Sequence, residues 1–293
     1  MDMRKLWIAL FLIAIIFAGC SPAATNESLP RAANTPSNDK QMKPQAVPGQ
    51  DKHKDISRTP DLRDGPEDQI RKPHPMTLSD LQAKYKSTFL LSGSSDKREI
   101  ALTFDDAPDD HFTPQVLDIL KKEGVRATFF VVGNRVQAHP DIVRRMVKEG
   151  HVIGNHSWSH PNLPKLRDAD FRNEILKTDR QILSIAGYLP TFVRPPYGNI
   201  SENQILWLAS QHKVVVNWNI DSLDWKGLDA EEVKTNVLAH LQPGAIILQH
   251  SAGGKGQDLS GTVKALPDII KAIRDDGVKL VTIPELLDMP NGK

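Results

Sequence analysis

Two histidines and two adjacent aspartates are the residues of this sequence whose types and spacing best suit metal chemistry. His156 and His160 are four positions apart, which lets both imidazoles project to one side if the backbone makes a helical turn. Asp105 and Asp106 are neighbours, and two carboxylates are costly to bury together unless a cation or a proton lies between them. Two imidazoles and one carboxylate leave coordination positions open for water and substrate, as a catalytic metal requires. A surface pair of histidines and a helix-capping aspartate are the structural alternatives.

The elements that would position these residues alternate between strand and helix. From about residue 99 to 289, short apolar runs alternate with amphipathic helical patterns, and the connections between them are short. A helix is expected to open at Thr113-Pro114, as an N-cap followed by proline, and to end at Gly124. Repeated strand–helix units are typical of parallel strands covered by helices. The sequence therefore predicts an α/β fold, a distorted (β/α) barrel of about seven parallel strands.

Polar side chains follow five of the predicted strands at the point where each strand ends. In chain order they are Asp105 and Asp106, His156 and His160, Arg194, Asp221 and Asp224, and His250. The carboxyl ends of parallel strands converge on one face of a barrel, where barrel enzymes have their active sites. We therefore expect these side chains to form a single site.

Five segments of the sequence resemble, in the same order, the five motifs of NodB-like polysaccharide deacetylases, carbohydrate esterase family four. The segments are Thr103-Phe104-Asp105-Asp106-Ala107-Pro108, His156-Ser157-Trp158-Ser159-His160, Arg194-Pro195-Pro196-Tyr197, Asp221-Ser222-Leu223-Asp224-Trp225 and Leu248-Gln249-His250. The resemblance covers about residues 98–289, the expected catalytic domain. It implies the barrel fold of the NodB homology domain.

For the metal and the general base, the resemblance implies specific roles. Asp106, His156 and His160 would hold a divalent metal, most commonly zinc, with cobalt, nickel and manganese as alternatives. Asp105 would be the general base that takes a proton from the attacking water. Arg194 would pair with Asp105 and keep it ionised and oriented.

The resemblance also implies roles on the side of the leaving group and the acyl group. His250 would be the general acid that protonates the departing amine, and Asp224 would polarise it. The backbone amide of Tyr197 would share the developing oxyanion with the metal. Trp225 and Leu248 would line the pocket for the acetyl methyl group.

One position departs from the family pattern, which usually has glycine where this chain has Ala107. If glycine serves there for a positive φ angle, alanine strains the turn. If it serves for close approach of substrate, the methyl group narrows the cleft.

These residues together predict a metal-dependent hydrolase. Hydrolysis of an amide needs an activated water, stabilisation of an oxyanion and protonation of a poor amine leaving group. The expected reaction removes N-acetyl groups from an amino-sugar polymer. Peptidoglycan, at N-acetylglucosamine or N-acetylmuramic acid units, is the first expectation, and chitin oligomers are a further substrate. The alternatives are a catalytically silent wall-binding lipoprotein and an O-acetyl esterase that acts on another polysaccharide.

The N-terminus is typical of a bacterial lipoprotein signal over residues 1–20. Arg4 and Lys5 precede an apolar run of about 13 residues, shorter than the roughly 20 that a spanning helix needs, and Ala18-Gly19-Cys20 closes the run. Cys20 is the only cysteine, and its place resembles that of the lipidated first residue of such proteins. We expect export and anchoring to the outer face of the cytoplasmic membrane, facing the cell wall. An uncleaved short anchor is the alternative.

The remaining segments predict a tethered monomer. Residues 21–75 are rich in proline and polar residues and poor in large apolar ones, which favours a disordered linker. Residues 76–97 are expected to form a short extension that packs on the barrel. The formal net charge of +1, with 37 basic and 36 acidic side chains, argues against a nucleic-acid partner.

Overall fold

The computed structural model describes residues 59–65, 67, 71 and 77–292. The predicted signal segment, its Cys20 and most of the predicted linker lie outside the described residues. Within the described part, no helix combines the length and the apolar character needed to cross a membrane.

The described strands belong to one sheet in which all the paired strands run parallel. In chain order they are β1 (Phe89–Leu90), β2 (Glu99–Ala107), β3 (Thr128–Val131), β4 (Val152–Asn155), β5 (Phe192–Val193), β6 (Val214–Val216), β7 (Ile220–Asp221), β8 (Ile246–His250) and β9 (Lys279–Val281). Sequence reasoning missed β7, because two residues after a turn carry no strand periodicity of their own.

The order of the strands shows that the sheet curls into a barrel. It reads β1-β6-β5-β4-β3-β2-β8-β7, and β9 pairs with β2. Strand β6 is next to one end of this path, whereas β7 forms the other end, yet only residues 217–219 connect them. Because a residue extends the chain by about 3.3–3.6 Å at most, the two ends of the sheet must lie close together. The predicted distorted α/β barrel is confirmed.

The helices follow the strands and bury their apolar faces against the sheet. They are α1 (Leu78–Lys84), α2 (Phe112–Glu123), α3 (Gly133–Ala138), α4 (Pro140–Lys148), α5 (Asp168–Ala186), α6 (Glu202–Ser210), α7 (Ala230–Leu238), α8 (Ser260–Asp275) and α9 (Ile283–Leu287). Buried side chains of α2 and α8, such as Leu117 and Ile269, share one core cluster with Leu102 of β2 and Ile247 of β8. This packing holds the strand ends that carry the polar residues.

The start of α2 differs from the prediction, and its end agrees with it. The helix ends at Gly124, which has a φ of 63°. It begins at Phe112, and its cap is the carboxylate of Asp109 rather than Thr113. One oxygen of Asp109 accepts hydrogen bonds from the N–H groups of His111, Phe112 and Thr113 at 3.1, 2.8 and 2.8 Å. Three amides converge on this oxygen, which satisfies the free donors of the first turn.

The barrel begins earlier in the chain than residue 98. Strand β1 pairs in parallel with β6, with Phe89 opposite Val215. Phe89 is buried together with Leu81 of α1. The predicted extension therefore contributes a strand to the sheet instead of only packing on it.

Residues 59–65, 67 and 71, here called the N-terminal strap, also differ from the prediction. They fall within the predicted disordered linker, yet Leu62 is buried and the N–H of Arg63 donates to the carbonyl of Ser159 at 3.0 Å. Sequence composition did not indicate this contact because its partners are distant in the chain.

Candidate active site

The three predicted metal ligands lie together at the carboxyl ends of two strands. Asp106 is the second-last residue of β2, and His156 and His160 follow β4. All three side chains are buried, and their candidate ligand atoms lie within 4.8 Å of one another. The helical turn that the four-residue spacing would allow is not formed. The histidines lie in a loop where Ser157 and His160 have φ angles of 66° and 60°, and this irregular backbone brings both rings to one side.

The hydrogen bonds of the two histidines leave one nitrogen of each ring free for a metal. Nδ1 of His156 donates to the carbonyl of Arg194 at 2.7 Å. Nδ1 of His160 donates to the hydroxyl of Tyr197 at 3.1 Å, because that hydroxyl itself donates to the carbonyl of Gly65 at 2.9 Å. Each ring is therefore held in the tautomer with a bare Nε2, as in ligating histidines.

The distances between these atoms fit a small divalent cation. Nε2 of His160 and of His156 lie 3.1 and 3.5 Å from Oδ1 of Asp106. Tetrahedral zinc with bonds of about 2.0–2.1 Å requires about 3.3 Å between ligands. Oδ1 of Asp106 and Nε2 of His160 are buried and have no hydrogen-bond partner among the described residues, so the site contains free acceptors that a cation would satisfy.

The charges of the three ligands also suit a cation. Burial opposes ionisation of Asp106, but the imidazoles of His160 and His156 hold its pKa well below the usual range. Burial lowers the pKa of His160. Burial also acts to lower the pKa of His156, but Asp105 and Asp106 raise it overall. A metal binds the deprotonated nitrogen of an imidazole, so metal binding would oppose protonation of His156.

The loop that carries the two histidines is held by Glu174 of α5, which sequence reasoning missed. Its carboxylate accepts hydrogen bonds from the N–H groups of Trp158 and Ser159 at 2.9 and 2.8 Å. Its other oxygen accepts from the hydroxyl of Ser159 at 2.9 Å. A glutamate within a helical pattern looks like a surface residue, so the sequence carried no signal for this role.

Asp105 is held by a buried arginine. Nη1 of Arg194 donates to Oδ1 of Asp105 at 2.8 Å and to the hydroxyl of Thr103 at 2.8 Å. Nε and Nη2 of Arg194 donate to the carbonyls of Val216 and Asn217 at 2.9 and 3.1 Å. With its donors directed at fixed partners, the guanidinium keeps one carboxylate oxygen of Asp105 in place. The other oxygen lies 3.7 Å from Nε2 of His156.

His250 lies beside Asp105, because the two are paired residues of the adjacent strands β8 and β2. Nδ1 of His250 is 2.7 Å from one oxygen of Asp224, and the other oxygen accepts from the N–H of His250 and the hydroxyl of Thr262, both at 2.7 Å. Burial acts to lower the pKa of His250, but the charge of Asp224 and its hydrogen bond raise it to about 10. Thr262 was not predicted, since a threonine in a helix carries no motif.

Of the residues predicted to bind the acyl group, Tyr197 contacts a candidate metal ligand. Tyr197 is in a 3₁₀ turn with a φ of 61°, and its ring packs edge-on against His160. Leu248 is buried on β8. Trp225 is half-buried and lines a cavity of about 830 Å³ together with Lys226 and the loop of residues 254–258. The oxyanion and pocket roles of these residues stay predictions.

Ala107 causes neither of the two effects considered from the sequence. The positive φ in this segment falls on Asp106, at 65°, and not on Ala107. Ala107 is fully buried in the core cluster with Phe104 and Phe129. Its methyl group therefore neither strains the turn nor narrows the cleft.

Arg135 is a further buried residue at the site that the sequence did not indicate. Its guanidinium donates to the carbonyls of Asp106, Pro60 and Gly253 at 2.9, 2.9 and 2.8 Å. It therefore joins the metal-ligand segment, the N-terminal strap and the loop after β8.

Comparison with known proteins assigns the chain to a family. Residues 92–216 match the polysaccharide deacetylase family. A peptidoglycan-N-acetylglucosamine deacetylase of Bacillus cereus is 47% identical over 201 residues, which cover 69% of this chain and 72% of that protein. The chain belongs to the polysaccharide deacetylase family. The resemblance in the five motifs is thus confirmed.

Two further relatives of this polysaccharide deacetylase extend the comparison. The peptidoglycan-N-acetylmuramic acid deacetylase PdaC of Bacillus subtilis is 42% identical over 191 residues, which cover 65% of this chain but only 39% of PdaC. The crystal structure of the Bc1960 peptidoglycan N-acetylglucosamine deacetylase superposes with a TM-score of 0.68 at 46% identity. That match covers 70% of this chain and 94% of the Bc1960 chain.

Proposed function

We propose that this protein is a metal-dependent N-deacetylase of peptidoglycan that acts on N-acetylglucosamine units. The observation that carries the proposal is the pairing of Asp105 with His250 on adjacent strands, beside a buried Asp106–His156–His160 cluster. This arrangement combines a base, an acid and a cation site within one cleft.

The residues of the chain divide the proton transfers of amide hydrolysis between them. Asp105, oriented by Arg194, accepts a proton from the attacking water. The water oxygen bonds to the acyl carbon, and His250 gives its Nε2 proton to the nitrogen as the carbon–nitrogen bond breaks. The products are acetate and a free amine. Asp224 stabilises the protonated imidazole until that transfer.

Asp106, His156 and His160 would hold the divalent cation, for which zinc is the proposed identity. When bound, such a cation acidifies a water molecule and polarises the amide carbonyl. Cobalt, nickel and manganese are the alternatives, because imidazole and carboxylate groups also bind these metals.

The substrate proposal rests on the relatives and on the N-terminal sequence. Both the Bacillus cereus protein and the Bc1960 structure carry names that specify peptidoglycan N-acetylglucosamine. Lipidation at Cys20 would anchor the enzyme to the outer face of the cytoplasmic membrane, next to this polymer. N-acetylmuramic acid units and chitin oligomers are the substrates against which the preference is to be measured.

The decisive experiment is mass analysis of peptidoglycan fragments after incubation with the purified protein. We expect fragments with free amino groups on glucosamine, no such fragments after removal of metal with a chelator, and recovery on addition of zinc. A folded, zinc-loaded protein that releases no acetate from peptidoglycan or chito-oligomers would refute the proposal. Release of acetate only from O-acetylated polysaccharide would favour the esterase alternative.

The catalytically silent alternative has lost its support. It depended on Ala107, and this residue packs in the core without disturbing the site.

A further inference from the structure

The N-terminal strap contacts the loops that follow the strands bearing the candidate catalytic groups. It contacts residues of three of the five family motifs. It also contacts Arg135, which supports a fourth motif through the carbonyl of Asp106. One end is held at Arg135, whose Nε donates to the carbonyl of Pro60 at 2.9 Å. Asp61 accepts a hydrogen bond from the N–H of Lys255 at 3.1 Å, in the loop after β8. Leu62 is buried, so this end is packed and not only hydrogen-bonded.

The middle of the strap runs over the loop that carries the metal ligands. The N–H of Arg63 donates to the carbonyl of Ser159, and Asp64 accepts from the N–H of Asn162 at 2.7 Å. Ser159 and Asn162 lie on either side of His160 in the chain. The carbonyl of Gly65 accepts from the hydroxyl of Tyr197, the group that orients the His160 ring. The strap thus reaches the immediate support of the metal site.

The inner end of the strap buries an acidic side chain, Glu67. Glu67 is 5% exposed, and its Oε2 has no hydrogen-bond partner among the described residues; Nε of Arg71 lies 3.9 Å from it. Burial raises the pKa of this carboxylate to about 7, although the charges of His250 and Arg71 act to lower it. A carboxylate held this way is costly to bury. This cost would be recovered if the strap left the site and Glu67 became exposed to solvent.

Arg71 fixes this inner end to the rim of the cleft. Its guanidinium donates to Asp221 at 2.6 Å. It also lies 4.7 and 5.5 Å from the ring centres of Trp218 and Trp225. Trp225 is one of the two residues predicted to line the acyl pocket, so Arg71 lies over the ring of a predicted pocket residue.

We propose that the N-terminal strap is an intramolecular inhibitor that occupies the substrate cleft and must be displaced by the polymer before catalysis. The proposal rests on the proposed function for the kind of ligand that displaces it. A cleft that is free only part of the time binds substrate with an apparent affinity reduced by that fraction. Weakening the strap should therefore lower KM without adding any contact to the substrate.

The first test measures release of the strap by limited trypsin digestion of the full chain. We expect Arg71→Ala and Glu67→Ala/Arg71→Ala to be cut after Arg63 about fivefold faster or more than wild type, because cleavage follows the population of the open form. Arg172→Ala is the matched control. It removes an exposed arginine of α5 that stacks on Trp207 at 5.6 Å, and its cleavage after Arg63 should equal that of wild type.

The second test measures acetate release from chito-oligomers by the same proteins. The strap variants should show kcat/KM raised by about fivefold or more, mainly through KM, and Arg172→Ala should not. Faster cleavage after Arg63 with unchanged or reduced kcat/KM would overturn the proposal, since the strap would then be neutral or part of the productive site. Unchanged cleavage in both strap variants would also overturn it.

A third test separates this inference from the proposed function. In the Asp105→Asn protein, an N-acetylated chito-oligomer should speed cleavage after Arg63, whereas a glucose oligomer without acetamido groups should not. If neither wild type nor any variant releases acetate, the proposed function fails. The cleavage rate with the oligomer then decides whether a ligand displaces the strap. An oligomer that leaves the cleavage rate unchanged would refute displacement.

Discussion

The two sides of the cleft are built with opposite charges. On one side, Asp105 is held by Arg194, whose donors also bond to two main-chain carbonyls. On the other side, His250 is held by Asp224, which accepts three hydrogen bonds. A fixed cation keeps a carboxylate ready to accept a proton, and a fixed anion keeps an imidazole ready to donate one. In the proposed mechanism, this difference lets Asp105 take a proton from the attacking water and His250 give one to the leaving amine.

The largest effect is expected from removing the charge of the base side. Asp105→Asn retains the size of the side chain but cannot take a proton, so kcat on chito-oligomers should fall by about 10²–10⁴-fold. Asp268→Asn, at an exposed aspartate of α8, is the control for the same chemical change and should leave kcat unaltered. A fall of less than about tenfold would mean that Asp105 is not the base.

A smaller effect with a different signature is expected on the acid side. Asp224 raises the pKa of His250, so Asp224→Asn should lower it and reduce kcat/KM by about 10–100-fold. The protonated acid is lost as the pH rises through its pKa, so the alkaline limb of the pH profile should move to lower pH. A bound cation would lower the pKa of His250 in both wild type and Asp224→Asn, so the two proteins can still be compared. An unmoved alkaline limb would show that His250 does not set it.

Sequence reasoning found these charged residues because each stands at a strand end within a recognisable motif. Asp105 and His250 could be placed in one cleft from the barrel prediction alone, and the register of β2 with β8 agrees with that placement. The spacing of His156 and His160 allowed a helical turn, but the structure has a loop there. Their loop is shaped by positive φ angles and by Glu174 from α5, and spacing along the chain does not reveal either.

The parts of the site that were missed depend on contacts between distant residues. Arg135 bonds to Asp106 and to Pro60, and Thr262 bonds to Asp224, across 29, 75 and 38 positions of the chain. The strap was missed for a related reason. Its composition is that of a linker, and only the partners supplied by the barrel make its packing visible. Local patterns indicate what a residue is suited for, whereas these residues act through what the fold brings to them.

The smallest effect is expected at Ala107, which belongs to neither side of the cleft. Ala107→Gly restores the usual family residue but removes a buried methyl group and adds backbone freedom, which should destabilise the protein by about 1 kcal/mol. Urea unfolding would measure this loss. Because the methyl group faces the core and the positive φ lies on Asp106, kcat/KM should stay within about twofold of wild type. A large gain in activity would show that the methyl group does obstruct the cleft. The site would then contain a steric element, the methyl group of Ala107, in addition to its two charged sides.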